Sequence, residues 1–257
     1  MIKQAIRDFI VKRTFAAKLR NKGMNTFSNF EILKSIRSSA ELKREEENRP
    51  HEVLYFHKVD DPYSHLAIQY IDKLQESFDI SFQAILVGEE NSDAVHEPSL
   101  YSTYCLEDAK RIAPFFGVEF SAESYPSAEL VIKSNKILTA VDTLNFAEVA
   151  KKVSSALWSS NESILNDLSR EYSASDEEVS NKLESGNFIR SEKDYYFGSA
   201  FYYEKELYWG VDRLHHLEDR LIELGLKKDS INEPICTPHL SAPSKMESTK
   251  TVNLHYY

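Results

Sequence analysis

The sequence predicts an α/β fold, because strand signals occur in two separate short regions while helical patterns fill the rest of the chain. Residues 53–87 alternate strand, helix and strand, a βαβ unit whose two strands should be parallel with a right-handed crossover. Residues 200–224 contain two strands followed by a helix. Because a βαβ unit and a ββα unit that share one sheet form a thioredoxin-like fold, we expect that fold here.

The βαβ unit begins with a short apolar run, Val53-Leu54-Tyr55-Phe56, which is rich in β-formers and typical of a buried strand. Asp60-Asp61-Pro62 then predicts a helix start, because it offers an acidic capping residue and places proline at the first helical position. Apolar residues recur at helical spacing as far as Leu74. The second strand is expected over Ile80–Val87.

A helical block follows, since the strand signal disappears between about residues 99 and 190. Its clearest boundary is the capping box of Ser175 and Glu178, which predicts the start of a helix. We expect that helix to end before Gly186, because glycine commonly follows the last helical residue.

Strand signals return after this block. Ala200–Tyr203 and Glu206–Trp209 predict an antiparallel hairpin around a tight turn at Glu204-Lys205, an unusual pair for such a turn. Leucines between Leu214 and Leu224 then form one stripe of a final helix, which should stop at Gly225.

These signals divide the chain into four parts. Residues 1–50 are expected to form an N-terminal helical extension. Residues 51–99 and 190–228 form the thioredoxin-like domain, and residues 100–189 form a helical insertion between its halves. Residues 229–257 contain several prolines and serines and predict an extended or disordered tail.

The composition excludes several functional classes. The 257 residues carry 31 basic and 41 acidic side chains, a formal net charge of −10, which argues against a nucleic-acid partner. Residues 1–22 are basic and amphipathic, and we interpret them as a helix with a solvated basic face rather than a membrane- or RNA-binding segment. No uncharged apolar run approaches the roughly 18 residues needed to cross a bilayer, so we expect no stable membrane association.

The cysteine and histidine content argues against disulfide and metal frameworks. Cys105 and Cys236 lie far apart in the sequence, with no metal-ligand spacing around either. This suits a reducing compartment, and we expect the protein in the cytoplasm. The adjacent His215 and His216 point to different faces of a helix, so they do not form a zinc pair, and we expect no metal.

The junction after the first strand is the best candidate site, because ligands of open α/β sheets bind where helices follow strands. Around Val59–Ser64, free backbone N–H groups and the helix dipole favour an anion such as a phosphate, carboxylate or thiolate. Asp61 suits either the N-cap of this helix or a general base, and Ser64 either an exposed serine or a ligand-binding hydroxyl. We expect His65 to face solvent.

Two separated segments, and a third weaker one, resemble one family. Tyr55–Ala67, which contains Asp61-Pro62-Tyr63-Ser64-His65-Leu66-Ala67, resembles the strand and Ser-Pro-Tyr-Ser-x-Leu-Ala segment of the 2-hydroxychromene-2-carboxylate isomerase family. Tyr208–Leu214 resembles the aromatic-Gly-x-Asp-Arg-Leu signature of its superfamily, and Ala109–Val118 is similar to a family helix that ends in an aromatic-Gly step. The family lies with the kappa-class glutathione transferases in the DsbA-like thioredoxin superfamily. The resemblance covers about residues 52–225 and implies the same fold.

The resemblance implies a glutathione site from which this sequence departs. Pro62 and Tyr63 match the motif, but Asp61 replaces the serine whose hydroxyl donates to the glutathione thiolate. An ionised carboxylate has no donor and repels a thiolate. Asp212 matches the acid that, in the kappa-class relatives, contacts the γ-glutamyl amine of glutathione, and it also suits capping of the last helix.

A second departure lies opposite this turn. Counting back from Gly210 through the hairpin places Ser199, which Ala200 follows, at the position where the superfamily has a cis-proline, whose exposed backbone pairs with bound peptide or glutathione. A cis bond before a residue other than proline costs about 2.5–4 kcal/mol, so we expect a trans bond at Ser199. The aromatic cluster between residues 195 and 209 suits the sheet core and a homodimer surface better than a substrate pocket, which remains an alternative.

The function implied by the resemblance is a glutathione-dependent isomerase or transferase that acts on a small aromatic or electrophilic substrate. The candidate residues are Asp61 and Ser64 for catalysis and Pro62, Tyr63, Ser199, Ala200 and Asp212 for binding of glutathione or substrate. The alternative is a catalytically silent thioredoxin-fold module that binds a peptide or a partner protein. A thiol-disulfide oxidoreductase is disfavoured, because the helix start has no Cys-x-x-Cys and disulfide exchange needs an attacking thiolate.

Overall fold

Four strands form one mixed sheet in the computed structural model. They are β1 (Glu52–His57), β2 (Ser81–Leu86), β3 (Ala200–Tyr203) and β4 (Glu206–Trp209), in the spatial order β2-β1-β3-β4. β1 pairs with β2 in parallel, whereas the β1–β3 and β3–β4 pairs are antiparallel. The expected thioredoxin-like fold, a βαβ unit joined to a ββα unit across one sheet, is therefore confirmed. The structure describes residues 18, 21–25, 29–88, 95, 97–228 and 234–235.

Helical residues occur at 21–25, and nine further α-helices follow in the described part of the chain. They are α1 (Phe30–Glu46), α2 (Pro62–Ile68), α3 (Ile71–Ser77), α4 (Pro98–Ile112), α5 (Ala128–Ala140), α6 (Phe146–Trp158), α7 (Glu162–Glu171), α8 (Asp176–Ser191) and α9 (Leu214–Glu223). Short 3-10 helices cover Ala113–Phe116 and Val211–Arg213. None of the described helices is long and apolar enough to span a membrane.

The hairpin has the predicted bounds and an explicable turn. Glu204 and Lys205 both have positive φ, 37° and 74°, so the turn twists in the sense that matches the strands on either side. Neither residue type is favoured there, which explains why the sequence signal was weak.

The predicted end of α8 at Gly186 is wrong, because the helix continues through this glycine to Ser191. Gly186 is buried where α8 crosses β2, and a Cβ atom at this position would lie 1.8 Å from the carbonyl oxygen of Leu86. The glycine therefore permits a close helix–strand approach instead of ending the helix. The predicted capping box of Ser175 and Glu178 at the start of α8 is present.

The insertion and the sheet share one hydrophobic core. Tyr55 and Phe201 of the sheet belong to the same buried cluster as Ile137 and Leu157 of the insertion. The insertion is thus packed onto the thioredoxin-like part rather than folded around a core of its own.

The described part of the extension is held mainly by polar contacts. In α1 only Ala40 is buried. Arg37 donates two hydrogen bonds, of 2.9 and 2.7 Å, to the carboxylate of Glu206, and Glu41 accepts one of 2.8 Å from the Tyr203 hydroxyl. Of the amphipathic segment at residues 1–22 only residues 18, 21 and 22 are described, and most of the predicted tail also lies outside the described residues. Within that tail, the backbone N–H of Ile235 donates to the Glu218 carboxylate at 2.9 Å.

Candidate functional site

The side chain of Asp61 caps the first turn of α2. Asp61 accepts hydrogen bonds from the backbone N–H of Tyr63 at 3.1 Å and of Ser64 at 3.0 Å. The Ser64 hydroxyl donates to the same carboxylate at 2.8 Å and accepts from the N–H of Lys58 at 3.3 Å. Ser64 is fully buried, and Asp61 is partly buried. The N–H groups that could bind an external anion therefore already bind the Asp61 carboxylate.

The segment before β3 covers this turn. A Cβ atom at Gly198 would lie 2.8 Å from Cβ of Lys58, 3.1 Å from Oδ2 of Asp61 and 3.3 Å from Oγ of Ser64. The peptide bond before Ser199 is trans, as expected, and Ser199 adopts a positive φ of 53°. Its carbonyl oxygen accepts from the N–H of Gly210 at 2.8 Å. We call the surface formed by Asp61, Ser64 and Gly198 the closed side of α2.

The structure does not bring Ser199 and Ala200 to an open surface. Both residues are fully buried, and Ala200 pairs with Phe56 of β1 on one side and Trp209 of β4 on the other. The backbone at Ala200 is thus part of the sheet.

The other side of the α2 turn faces an open cavity of about 340 Å³, which we call the Tyr63 cavity. The Tyr63 hydroxyl donates to Oδ2 of Asp108 at 2.8 Å, and the Tyr63 ring meets Trp209 edge-on with 5.5 Å between ring centroids. The cavity is lined by Tyr63, Tyr104, Asp108, Ile112, Trp209, Gly210 and Asp212.

Two predicted binding residues, Tyr63 and Asp212, thus line the same cavity, although they come from the two separate motif segments. Asp212 lies in the 3-10 turn before α9, and its side chain makes no capping hydrogen bond there. It is half exposed, with Oδ2 at 3.8 Å from Nε of Arg213. Burial and the hydrogen bond to Asp108 raise the pKa of Tyr63, so this phenol stays protonated and donating at neutral pH.

The aromatic cluster divides between the core and this cavity. Phe201, Tyr203 and Tyr208 are buried in the main core. Phe197 instead stacks on Trp209 at 5.6 Å and on Tyr101 at 5.7 Å, so a row of rings runs up to the cavity. Both interpretations of the cluster, sheet core and pocket wall, therefore apply to different members.

His65 is buried, so the expectation that it faces solvent is wrong. The ring lies between the thioredoxin-like part and the insertion, with Nδ1 at 2.8 Å from Oγ of Ser154 and Nε2 at 3.2 Å from the carbonyl oxygen of Glu119. Helical spacing of apolar residues could not predict the burial of His65, because all seven residues of α2 are buried and the helix has no exposed polar face.

Sequence reasoning missed the residues that α4 contributes to the cavity. Tyr104, Asp108 and Ile112 recur every four residues and so share one face of α4. That spacing was the available signal, but nothing in the sequence indicated which element the face would meet. Cys105, on the same helix, is buried and forms no disulfide, and no group of metal-ligating side chains is found in the described parts of the chain.

Fold and site together define a thioredoxin-fold protein with a helical insertion and no thiol at the start of α2. The solved structure of a 2-hydroxychromene-2-carboxylate isomerase is similar to this chain, with a TM-score of 0.51 and 18% sequence identity over 68% of this chain and 96% of that one. At this identity the likeness establishes the fold, as the motifs predicted. No family model matches the chain, and no curated protein matches it in sequence.

Proposed function

We propose that this protein is an isomerase- or transferase-type enzyme that binds glutathione and a small aromatic or electrophilic substrate at the Tyr63 cavity. One observation carries the proposal: Tyr63 and Asp212, from distant motif segments, line one open cavity beside the start of α2. Its volume of about 340 Å³ lies within the range of small-molecule sites.

The cavity offers complementary groups for such a ligand. Asp212 is half exposed and suits the ammonium group of a γ-glutamyl residue. The rings of Tyr104 and Trp209 provide faces for an aromatic substrate. These contacts would hold both reactants near the Asp61 turn and so supply proximity.

Asp61 changes how a thiol would be activated. A serine would donate to a thiolate, whereas the Asp61 carboxylate can only accept, so the thiol binds protonated. As sulfur forms its bond to the electrophilic carbon, the thiol proton passes to Asp61. The electron pair of the bond that breaks at this carbon leaves with the displaced group in a transfer, or moves to the conjugated carbonyl oxygen of the substrate in an isomerisation. Ser64 is fully buried and hydrogen-bonded to Asp61, so it acts as a positioning residue.

Calorimetric titration of the full chain with glutathione and S-methylglutathione tests the proposal. We expect the native protein to bind glutathione, and Asp212→Asn to weaken binding about tenfold, or about 1.4 kcal/mol. Asp219→Asn is the matched control, because Asp219 is an exposed carboxylate of α9 that does not line the cavity. Absence of binding at millimolar glutathione would contradict the proposal.

A second candidate, a catalytically silent binding module, is favoured by the closed side of α2. The Asp61 carboxylate accepts hydrogen bonds from the N–H groups of the turn, and Gly198 packs against this carboxylate. If only Asp61→Ser bound glutathione, this candidate would replace the first. Disulfide exchange stays disfavoured, since Cys105 is buried in α4 and the start of α2 has no thiol.

We also propose a cellular location and an assembly state for this protein. A glutathione-dependent activity fits the cytoplasm, where thiols are kept reduced. We propose no nucleic-acid partner, given the net charge of −10, and a homodimer as the assembly to test by light scattering.

A further inference from the structure

We infer that the Tyr63 cavity selects ligands that carry an organic ammonium group, and that Asp108 of the helical insertion is its specificity-determining residue. The inference deepens the proposed function and rests on it for the location of the ligand. It concerns a residue that lies outside both motif segments.

The lining of the cavity is complementary to a cation. It contains two carboxylates, Asp108 and Asp212, and the rings of Tyr63, Tyr104 and Trp209, but no basic side chain. Aromatic faces attract ammonium groups, and a carboxylate beside them adds a direct ion pair.

Two basic side chains near the lining residues in sequence are paired with carboxylates, and one of these carboxylates, Asp212, itself lines the cavity. Arg213 lies 3.8 Å from Asp212 at the exposed rim. Lys110, on α4, binds Glu107 at 3.1 Å and Glu123 at 3.4 Å. No lysine or arginine of the described residues forms a salt bridge with Asp108, so its charge is available to a ligand.

Asp108 is held in place for this role. Its Oδ2 accepts from Tyr63, a residue that is only 7% exposed and whose ring packs edge-on against Trp209. The other oxygen, Oδ1, has no hydrogen-bond partner among the described residues. A carboxylate that lines a cavity, with one oxygen fixed and the other without a partner among the described residues, is a preorganised acceptor for an N–H donor.

The rest of the α4 face fits a ligand with an aromatic body. Tyr104 and Ile112 lie one turn before and one turn after Asp108, so both extend the same wall. Tyr104 is 60% exposed and lies at the open edge of the cavity. An arylalkylamine would place its ammonium group at Asp108 and its ring between Tyr104 and Trp209.

The test compares phenethylamine with 3-phenylpropionate, which have similar size and opposite charge. The sequence has two tryptophans, so a Trp158→Phe background makes Trp209 the only fluorescent indole, and its quenching reports binding at the cavity. We expect the amine to bind at least about tenfold more tightly than the carboxylate at pH 7. Asp108→Asn, which keeps an acceptor for Tyr63, should reduce amine affinity about tenfold.

Glu107→Gln is the matched control, because it removes the same charge from the neighbouring residue of α4 outside the cavity. Equal binding of the two probes, no quenching by either probe, or the same loss in Glu107→Gln as in Asp108→Asn would overturn the inference. The probe comparison in the Trp158→Phe background decides the matter even if Asp108→Asn fails to fold. Amine selectivity without glutathione binding would support this inference and contradict the proposed function. Glutathione binding without amine selectivity would support the proposed function and contradict this inference.

Discussion

The two sides of the first turn of α2 differ in what they leave available. On the closed side, Asp61 and Ser64 satisfy the helix N–H groups and Gly198 packs over them. On the other side, Tyr63 lines an open cavity whose walls come from α4 and the turn after β4. A helix start can thus keep the geometry of an anion site while its own capping carboxylate binds the free N–H groups. Ligand binding is then left to the neighbouring face.

The largest expected effect comes from enlarging Gly198. The added Cβ of Gly198→Ala would lie 2.8 Å from Cβ of Lys58, so the closed side must shift. We expect a loss of up to about 3 kcal/mol in the free energy of unfolding, measured by urea denaturation. Gly23→Ala is the control, because no atom beyond its chain neighbours and its own helix backbone lies within 4 Å of its added Cβ. An unchanged stability for Gly198→Ala would mean that the closed side is loosely packed.

Acid should destabilise the protein through buried histidines beneath the same turn. Burial, reinforced by the neighbouring His65, lowers the pKa of His57 to about 3, and burial also lowers the pKa of His65. The unfolded chain binds protons below about pH 6.5, whereas the fold does not, so stability is complete above that pH and falls as the pH drops towards 3.

For His57 the expected loss between pH 7.5 and pH 5 is about 2 kcal/mol. Urea denaturation at a series of pH values measures it, and His57→Phe should flatten the profile. His216→Phe, at an exposed position, should leave the slope unchanged. A native profile that is flat between pH 7.5 and pH 5 is incompatible with neutral buried histidines.

Removal of the Asp61 cap should lower the free energy of unfolding less than Gly198→Ala does. Asp61→Ala leaves two backbone N–H groups and the Ser64 hydroxyl without their acceptor, and we expect a loss of about 1–2 kcal/mol in thermal or urea unfolding. Asp60→Ala, which removes a neighbouring carboxylate that pairs with Lys58, should cost less than about 1 kcal/mol. Equal effects of the two changes would indicate that Asp61 acts only through its charge.

Substitutions of residues that line the Tyr63 cavity should lower the free energy of unfolding least. Tyr63→Phe removes the hydrogen bond to Asp108 but keeps the ring against Trp209, so we expect a loss of only about 1 kcal/mol in stability. Ligand affinity should change more than stability, and parallel calorimetry and denaturation separate the two. A loss above about 3 kcal/mol would place Tyr63 in the structural core rather than in the wall of a site.

The sequence predicted the parts of the fold that local signals determine. The hairpin at Ala200–Trp209, the Asp61 cap and the capping box at Ser175 follow from strand alternation and cap chemistry, which act within a few residues. Gly186 was misread, because its glycine serves a contact with β2 that no local pattern encodes. The burial of His65 likewise depends on the insertion, which supplies Ser154 and Glu119.

The site was predictable only in part, for the same reason. Tyr63 and Asp212 were found because they belong to motif segments, whereas Asp108 and Tyr104 belong to none. Their place in the site is set by how the insertion packs on α2, which is a tertiary property. The orientation of Asp61 towards its own helix was one of two alternatives that the residue type left open.

Mapping ligand-induced amide and indole shifts by NMR on the isotopically labelled chain tests the comparison most directly. We expect glutathione to perturb the Trp209 indole and the amides of Gly210 and Asp212, and to leave the amides of Gly198 and Ser199 nearly unchanged. Perturbations centred on Gly198 and Ser199, with none at Trp209, would show that the closed side opens to bind the ligand and would contradict this account.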